Sequence, residues 1–406
     1  MNGCPYPAFS GYGIELEYIL VDGETLNVRP IADRILAGLG PADDMDIVRE
    51  HAAWSNELAL HVLEMKTLGP IADFDAARRI FRGEVNELST LLAAQGARLM
   101  PSGAHPWMDP ASETRLWPHQ NDVIYRTFDR IFDCRGHGWS NLQSMHINFP
   151  FQNETEFVAV HAACRFVLPL LPALAASSPF LDGARAGALD ARLATYETNC
   201  QRVPAITGQV VPEVITSRAD YDALLSRIYA ALVPLDPEGT LAEEWVNARG
   251  AIARFERCAV EIRVLDTQEC PEHDVAIAEL VTTVVQALAQ GELLPHEELV
   301  HFPSAPLVEQ YQRARTAASA APFARAHLGR ALGSQAETLG ELWRELIDRF
   351  VPPSSWARSR LDLIANEGTL AERLVRDAGP APSRQRLHAT YEKLCTCLRE
   401  GQSFCP

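Results

Sequence analysis

Glu15 and Glu17 stand two residues apart in GIELEYILVD (13–22), and Glu57 and Glu64 frame NELALHVLEMKT (56–67), with Lys66 the only cation nearby. Further along, His146 and Asn148 alternate in SMHINFPF (144–151), and Glu261 and Arg263 alternate in RFERCAVEIRVLD (254–266). Any one of these segments is explained by a solvated sheet face. Such a face usually mixes Lys, Thr, Ser and Glu, however, whereas the first two segments offer almost pure carboxylate. Unpaired carboxylates brought together repel one another, and divalent cations relieve that repulsion. Oxygen ligands with a single imidazole suit Mg²⁺ or Mn²⁺ better than zinc, which favours more His or Cys. A metal–carboxylate cluster beside an arginine is equipped to hold nucleotide phosphates and to neutralise charge on a transferred phosphoryl group.

Positioning these groups falls to strands. In 13–22 Glu15 and Glu17 share a face with Gly13 and Ile19, and Ile14, Leu16, Tyr18 and Leu20 fill the other. Ser144, His146 and Asn148 oppose Met145, Ile147 and Phe149 in the same way, and Val260, Ile262 and Val264 oppose Glu261 and Arg263. Glu57 and Glu64 are seven residues apart, so a regular strand would send them to opposite faces. A turn or bulge between them would bring both to one site. Parity groups Arg257 with Glu261 and sets Arg254 on the apolar side, as a structural ion-pair partner.

Around the strands, apolar residues from Asp73 to about Leu92 recur at helical spacing, with Asp73 or Asp75 as cap. The segment PSGAHPWMDPASETRLWPH is too rich in Pro for regular structure and reads as an ordered loop. An apolar helix is predicted from about Phe157 to Ala176, interrupted by Pro169 and Pro172. Another is predicted after Pro271, ending near Gly291. The last hundred residues read as polar-faced helices broken at GPAPSRQ.

In order and approximate spacing, GIELEY, NELALHVLEMKT, SMHINFPF, SSPFLDG and ARFERCAVEIRVLDTQECP resemble the glutamate–cysteine ligase family, carboxylate–amine ligases related to glutamine synthetase. The resemblance covers roughly residues 10–300. It implies an α+β fold in which a curved antiparallel sheet, a half-barrel, carries helices on its convex face and Mg²⁺ ions on its concave face, with ATP and amino-acid substrates entering from opposite sides. By the same resemblance Glu15, Glu17, Glu57, Glu64, His146 and Glu261 are metal ligands and Arg263 stabilises phosphoryl transfer. Arg257 and Asn148 join Arg263 at the nucleotide, and Arg185, Arg192 and Tyr196, with Asn199, lie near the amino-acid substrate. His51, His61, His105, His119 and His137 are loop or packing residues. The implied reaction joins a carboxylate, expected to be the γ-carboxylate of glutamate, to cysteine or another amine at the expense of ATP. A silent metal- or nucleotide-binding homologue and a guanidino-kinase-like phosphotransferase are the competing readings.

The chain has 406 residues, 47% of them apolar and 22% charged, within the range of globular proteins. It reads as one catalytic domain, 1–406, with a helical part from about 300. A formal net charge of -17 argues against nucleic-acid or anionic-membrane partners, which need clustered Lys and Arg. Small-molecule substrates remain as partners, and the acidic surface and terminal helices permit a homodimer. No GxxxxGK[ST] and no strand followed by GxGxxG is present, so phosphate binding would rest on metals and arginines. Nine cysteines without CxxC spacing predict reduced thiols in a cytoplasmic protein, Cys395 and Cys397 included. The N-terminus does not read as a signal peptide, and no apolar run reaches 18 residues.

Overall fold

A computed structural model describes residues 4–40 and 46–406. Strands β1 (Gly13–Asp22), β2 (Asp46–Val48), β3 (Ala52–Asn56), β4 (Val62–Thr67), β5 (Ala97–Met100), β6 (Ser144–Pro150), β7 (Phe180–Leu181), β8 (Ala184–Arg185), β9 (Ala251–Arg254) and β10 (Ala259–Asp266) occur in that order. All but β7 and β8, which pair with each other, form one sheet. Its order is β2-β3-β4-β1-β6-β10-β9, with β5 also paired to β1. Every pairing is antiparallel. The sheet stays open, with helices around it, in line with the α+β fold that the family resemblance implies.

Central β1 shows how one strand serves two environments. Its even-numbered residues Ile14, Leu16, Tyr18 and Leu20 enter the main core with Met65, Ile147 and Ile262. That core is roofed by the helices Phe74–Ala93, Glu154–Val167 and Pro271–Ala289, whose buried residues belong to the same cluster. Asp73 caps the first of these through its side chain, accepting from the Ala76 N–H, as the sequence predicts. On the odd face Glu15 and Glu17 give way to Ile19 and Val21. These two residues pack into a second apolar cluster with Leu374 of the helix Leu370–Ala378 and Leu387, Tyr391 and Leu394 of the helix Arg384–Glu400. Helices therefore cover part of the acidic strand's own face as well as its opposite one.

The expected Phe157–Ala176 helix is interrupted at both prolines, as the sequence predicts: a helix Glu154–Val167, a 3₁₀ turn Leu168–Leu170 and a short helix Pro172–Ala175, because each proline lacks the N–H that would continue the ladder. Two other local readings need correction. Arg254 is not on the apolar side. It ends β9 opposite Ala259, and cross-strand partners share a face, so the β9–β10 turn resets the parity and Arg254 faces with Glu261. Finally, the thiols are not all reduced. Cys4 and Cys258 form a disulfide, Cα atoms 5.6 Å apart, tying the N-terminal segment to that same turn, and the other seven cysteines are free. A separation of 254 residues leaves no local spacing by which the pair announces itself.

Among the described residues no helix is long and apolar enough to cross a membrane. The C-terminal helices are instead locked to the sheet side by an ion pair with no exposed side-chain surface, Arg373 on Glu269 at 2.6 Å. Arg373 also donates to the Phe404 carbonyl at 2.6 Å. Burial alone would raise the Glu269 pKa, but Arg373 and its hydrogen bonds outweigh burial and hold it at about 2. Because the folded value lies below the unfolded one of 4.5, this stabilisation is present above that pH and fades as pH falls through about 2. Arg373→Met should strand a buried carboxylate and cost about 3–5 kcal/mol in urea unfolding at pH 7. Arg373→Met with Glu269→Gln should recover most of that loss, and equal instability of the single and double variants would refute the electrostatic account.

Candidate active site

Strand register assembles the site. Glu15 lies opposite His146 on β6 and Lys66 on β4, Glu17 lies opposite Glu64, and Glu64 lies opposite Ser55 on β3. Glu261 on β10 lies opposite Asn148. Glu57 is the first residue after β3, and the five-residue connection to β4 brings it round to the face of Glu64, as the seven-residue spacing requires. The four charged segments therefore converge on one cavity of about 440 Å³, lined by Glu15, Glu17, Glu57, Glu64, His146 and Glu261 and by Arg192, Arg254, Arg257 and Arg263.

A β-bulge fixes the far side. The β10–β6 register shifts between Ile262 and Leu265, so Ile262 and Leu265 both face the core across from Ile147 and Met145. Without the shift, strict alternation would place Leu265 on the acidic face beside Arg263. The next residue, Asp266, is fully buried and takes the Arg192 guanidinium together with the Ser178 hydroxyl at 2.8 Å. Gly103 has to be glycine here, since a Cβ would sit 2.4 Å from the Asp266 carboxyl carbon.

Charge is only partly compensated. His146 Nδ1 lies 3.1 Å from Glu15, and its Nε2 lies 3.8 Å from Glu17. Burial disfavours the imidazolium, but Glu15, Glu17 and Glu261 together raise the His146 pKa to about 9. Correspondingly, His146 overcomes burial to hold Glu15 well below the usual carboxylate range. Glu17 accepts from the Ser144 N–H at 2.8 Å. Glu64 accepts from the Ser55 hydroxyl at 2.5 Å, and Lys66 is 3.4 Å away, itself shared with Asp46 at 2.7 Å. Burial and the Glu15 charge nevertheless lift the Glu64 pKa to about 8. Glu57 is pushed well above its ordinary value by burial, then by Glu17 and Glu64.

That surplus fits a cation. Ligand atoms of Glu15, Glu64 and His146 lie within 4.8 Å of one another, and so do those of Glu17, Glu57 and Glu64. Glu64 belongs to both groups, which suits two ions sharing one carboxylate, and the oxygen-rich donor set suits Mg²⁺ or Mn²⁺. Glu261 belongs to neither group. It receives Arg263 at 2.5 Å and Arg254 at 3.4 Å, and stands 3.8 Å from His146.

Among the other expected site residues, Arg257 reaches to 3.9 Å from Glu15 from an exposed position, and Asn148 donates to Glu15 at 2.9 Å. Arg192, Tyr196 and Asn199, on the helix Ala191–Asn199, line the cavity. Arg185 does not: it is exposed on β8, a two-residue strand that pairs only with β7, outside the cavity lining. His61 and His105 are buried packing residues bonded to backbone carbonyls, as expected. The sequence reading passed over Ser55, Asp46, Asn56 and Tyr125. Ser55 carried a usable signal, because Glu64 needs a cross-strand neighbour once the hairpin is recognised.

Neutralising one acid should relieve the repulsion. Glu57→Gln is expected to stabilise the chelator-treated protein by at least about 1 kcal/mol at pH 8 and to shrink the rise in melting temperature on adding MnCl₂. An unchanged Mn²⁺ response would remove Glu57 from the cation set.

The comparisons with known proteins follow the same lines. The model of glutamate–cysteine ligase family 2 matches residues 12–395. An uncharacterized protein of Archaeoglobus fulgidus is 31% identical over 97% of this chain and 99% of its own length. A protein of Bradyrhizobium diazoefficiens named "Putative glutamate--cysteine ligase 2" is 29% identical over 68% of this chain and 59% of its own. In fold, the chain is similar to the glutamate–cysteine ligase of Francisella tularensis solved in complex with AMP, with a TM-score of 0.57, 13% identity and coverage of 96% of this chain and 88% of that one. With a family match running over nearly its whole length, the chain belongs to glutamate–cysteine ligase family 2.

Proposed function

We propose that the protein is an ATP- and Mg²⁺-dependent carboxylate–amine ligase that activates a carboxylate, in the first instance the γ-carboxylate of glutamate, and joins it to an amine. The observation that carries this reading is the pair of overlapping acid groups, Glu15/Glu64/His146 and Glu17/Glu57/Glu64, beside the cations Arg257 and Arg263. Family membership and a fold shared with a ligase that binds AMP support nucleotide use.

In this reading Glu15, Glu17, Glu57, Glu64 and His146 hold the ions, with Glu261 available as a further ligand. The bound ions would lower the repulsion between the anionic carboxylate and the anionic triphosphate. His146 must then give up its proton to act as a ligand, so cation binding and loss of that proton are coupled. Arg263, which donates to Glu261, would take the equatorial oxygens of the transferred phosphoryl group, and Arg257 and Asn148 would take the nucleotide phosphates. A carboxylate oxygen of the acid attacks the γ-phosphorus, and ADP leaves with the bonding pair. The neutral amine then attacks the acyl carbon, phosphate leaves, and an amide remains. The proton shed by nitrogen passes to a site carboxylate. Arg192 and Tyr196, which line the cavity, would hold the acid's remaining groups.

Incubation with ATP, Mg²⁺ and pooled amino acids and amines, read by ADP release and product mass, tests this. The ligase reading expects amide formation dependent on both acid and amine, and a loss of at least about 100-fold in Glu261→Ala. A phosphorylated product without amide would favour the phosphotransferase reading, and binding without turnover the silent one.

A further inference from the structure

The cavity has two unlike halves. Its charged lining residues come from the sheet, from the β3–β4 connection through Glu57, from the β9–β10 turn and from Arg192, whereas the helices Asp122–Phe132 and His137–Ser140 and the turn Glu244–Val246 add no charged side chain to it. What they add is Tyr125, Phe128, Trp139 and Trp245, with Ile124 and Val246 between them. The rings of Phe128 and Trp139 are 4.9 Å apart and those of Phe128 and Trp245 are 5.8 Å apart. All four aromatics are only half-buried against the core, so part of each remains uncovered.

This wall is held in place. Trp139 donates from its indole Nε1 to the Asn199 carbonyl at 3.2 Å, and Asn199 donates from its amide to the Gly138 carbonyl at 2.8 Å. A Cβ at Gly138 would lie 2.6 Å from that of Asn199, so the two helices meet at van der Waals contact. Asn199 shares its helix with Arg192 and Tyr196, which fixes the aromatic wall relative to the groups assigned to the acid.

We infer that the amine acceptor carries a bulky apolar body, an aryl or branched alkyl group of several carbons, seated against Phe128, Trp139 and Trp245. The inference rests on the ligase reading. An acid held by Arg192, with its phosphoryl group on Arg263, has its activated carbon at the charged half, and the attacking nitrogen must approach from the half that remains. That half has no charged side chain to solvate an ammonium group, which favours the neutral amine the reaction needs. The aromatic faces attract the incoming cation before it loses its proton. A side chain as short as that of cysteine would leave the uncovered part of the three rings in contact with water, whereas an arylalkyl group covers it and adds ring–ring contact.

The test uses the full chain with ATP, Mg²⁺ and L-glutamate, and compares phenethylamine, ethylamine and cysteine by ADP release and product mass. The expected result is a kcat/KM for phenethylamine at least about tenfold above that for ethylamine or cysteine. In Trp139→Ala, and in the milder Phe128→Leu and Trp245→Leu should the first not fold, this ratio should fall toward one while the KM for ATP stays within about twofold. Cysteine or ethylamine used as well as phenethylamine would overturn the inference and leave the ligase reading standing. So would variants that raise the KM for ATP with the amine ratio unchanged, since the wall would then face the nucleotide base. ADP release that no amine stimulates would overturn both.

Discussion

Carboxylates outnumber the charges that answer them on the buried face formed by β1, β4, β6 and β10, and most of the local architecture follows from that imbalance. Glu15 has His146, Glu261 has Arg263 and Arg254, and Glu17 has a backbone N–H and a hydroxyl from Ser144. Glu64 has a hydroxyl from Ser55 and half of a lysine that it shares with Asp46. Glu57 faces Glu17 and Glu64, and its elevated pKa marks it as the acid with least support. A protein gains nothing in stability from such an arrangement, because each buried charge costs several kcal/mol unless it is paired. The compensation is graded, complete toward β10 and thin toward Glu57 and Glu64, so a divalent cation has most to gain at the thin end. That is where the two three-residue groups, Glu15/Glu64/His146 and Glu17/Glu57/Glu64, overlap.

Holding like charges together requires rigid neighbours, and the two apolar clusters supply them from opposite sides. The main core grips the even-numbered residues of β1, and the second cluster grips Ile19 and Val21 directly beyond Glu17. The acidic stretch of the strand thus lies between anchored segments and has little freedom to splay. At the other end the Cys4–Cys258 bridge and the Arg254–Glu261 pair restrain the β9–β10 turn that carries Arg257. The bulge in β10 does comparable work for chemistry: it lets one strand offer Glu261 and Arg263 to the cavity, then send Leu265 to the core, and return Asp266 to anchor Arg192.

Alternation made β1, β6 and the first part of β10 readable in sequence, because period-two patterning survives whatever a strand is paired with. The helix caps and proline breaks were readable for equally local reasons. What alternation could not convey was register. Parity counted through a turn predicts the wrong face for Arg254, and the β3–β4 hairpin leaves no trace in sequence beyond the seven-residue spacing of Glu57 and Glu64. Arg185 was placed near the substrate by likeness to a family, and its exposed position on β8 shows that a motif's neighbourhood does not carry every residue with it. The disulfide depends on tertiary contact alone. Ser55 and Asp46, which temper Glu64 and Lys66, look like ordinary strand residues until the pairing is known.

The division of the cavity into a charged and an aromatic half bears on the order of events. With the cluster short of positive charge, an acid arriving before any cation would add a further anion to a site that already repels its own carboxylates. Cations first, then the triphosphate and the acid, is the sequence in which each anion meets a compensated surface. The aromatic half imposes no such requirement, since its affinity derives from area and ring geometry rather than from charge. If the chain is the ligase proposed above, an amine could settle there at any stage and would react only after the charged half had produced an electrophile. Placing the two functions on different elements, charge on strands and shape on the helices Asp122–Phe132 and His137–Ser140, leaves the acceptor wall open to change without disturbing the balance of charges that activation depends on.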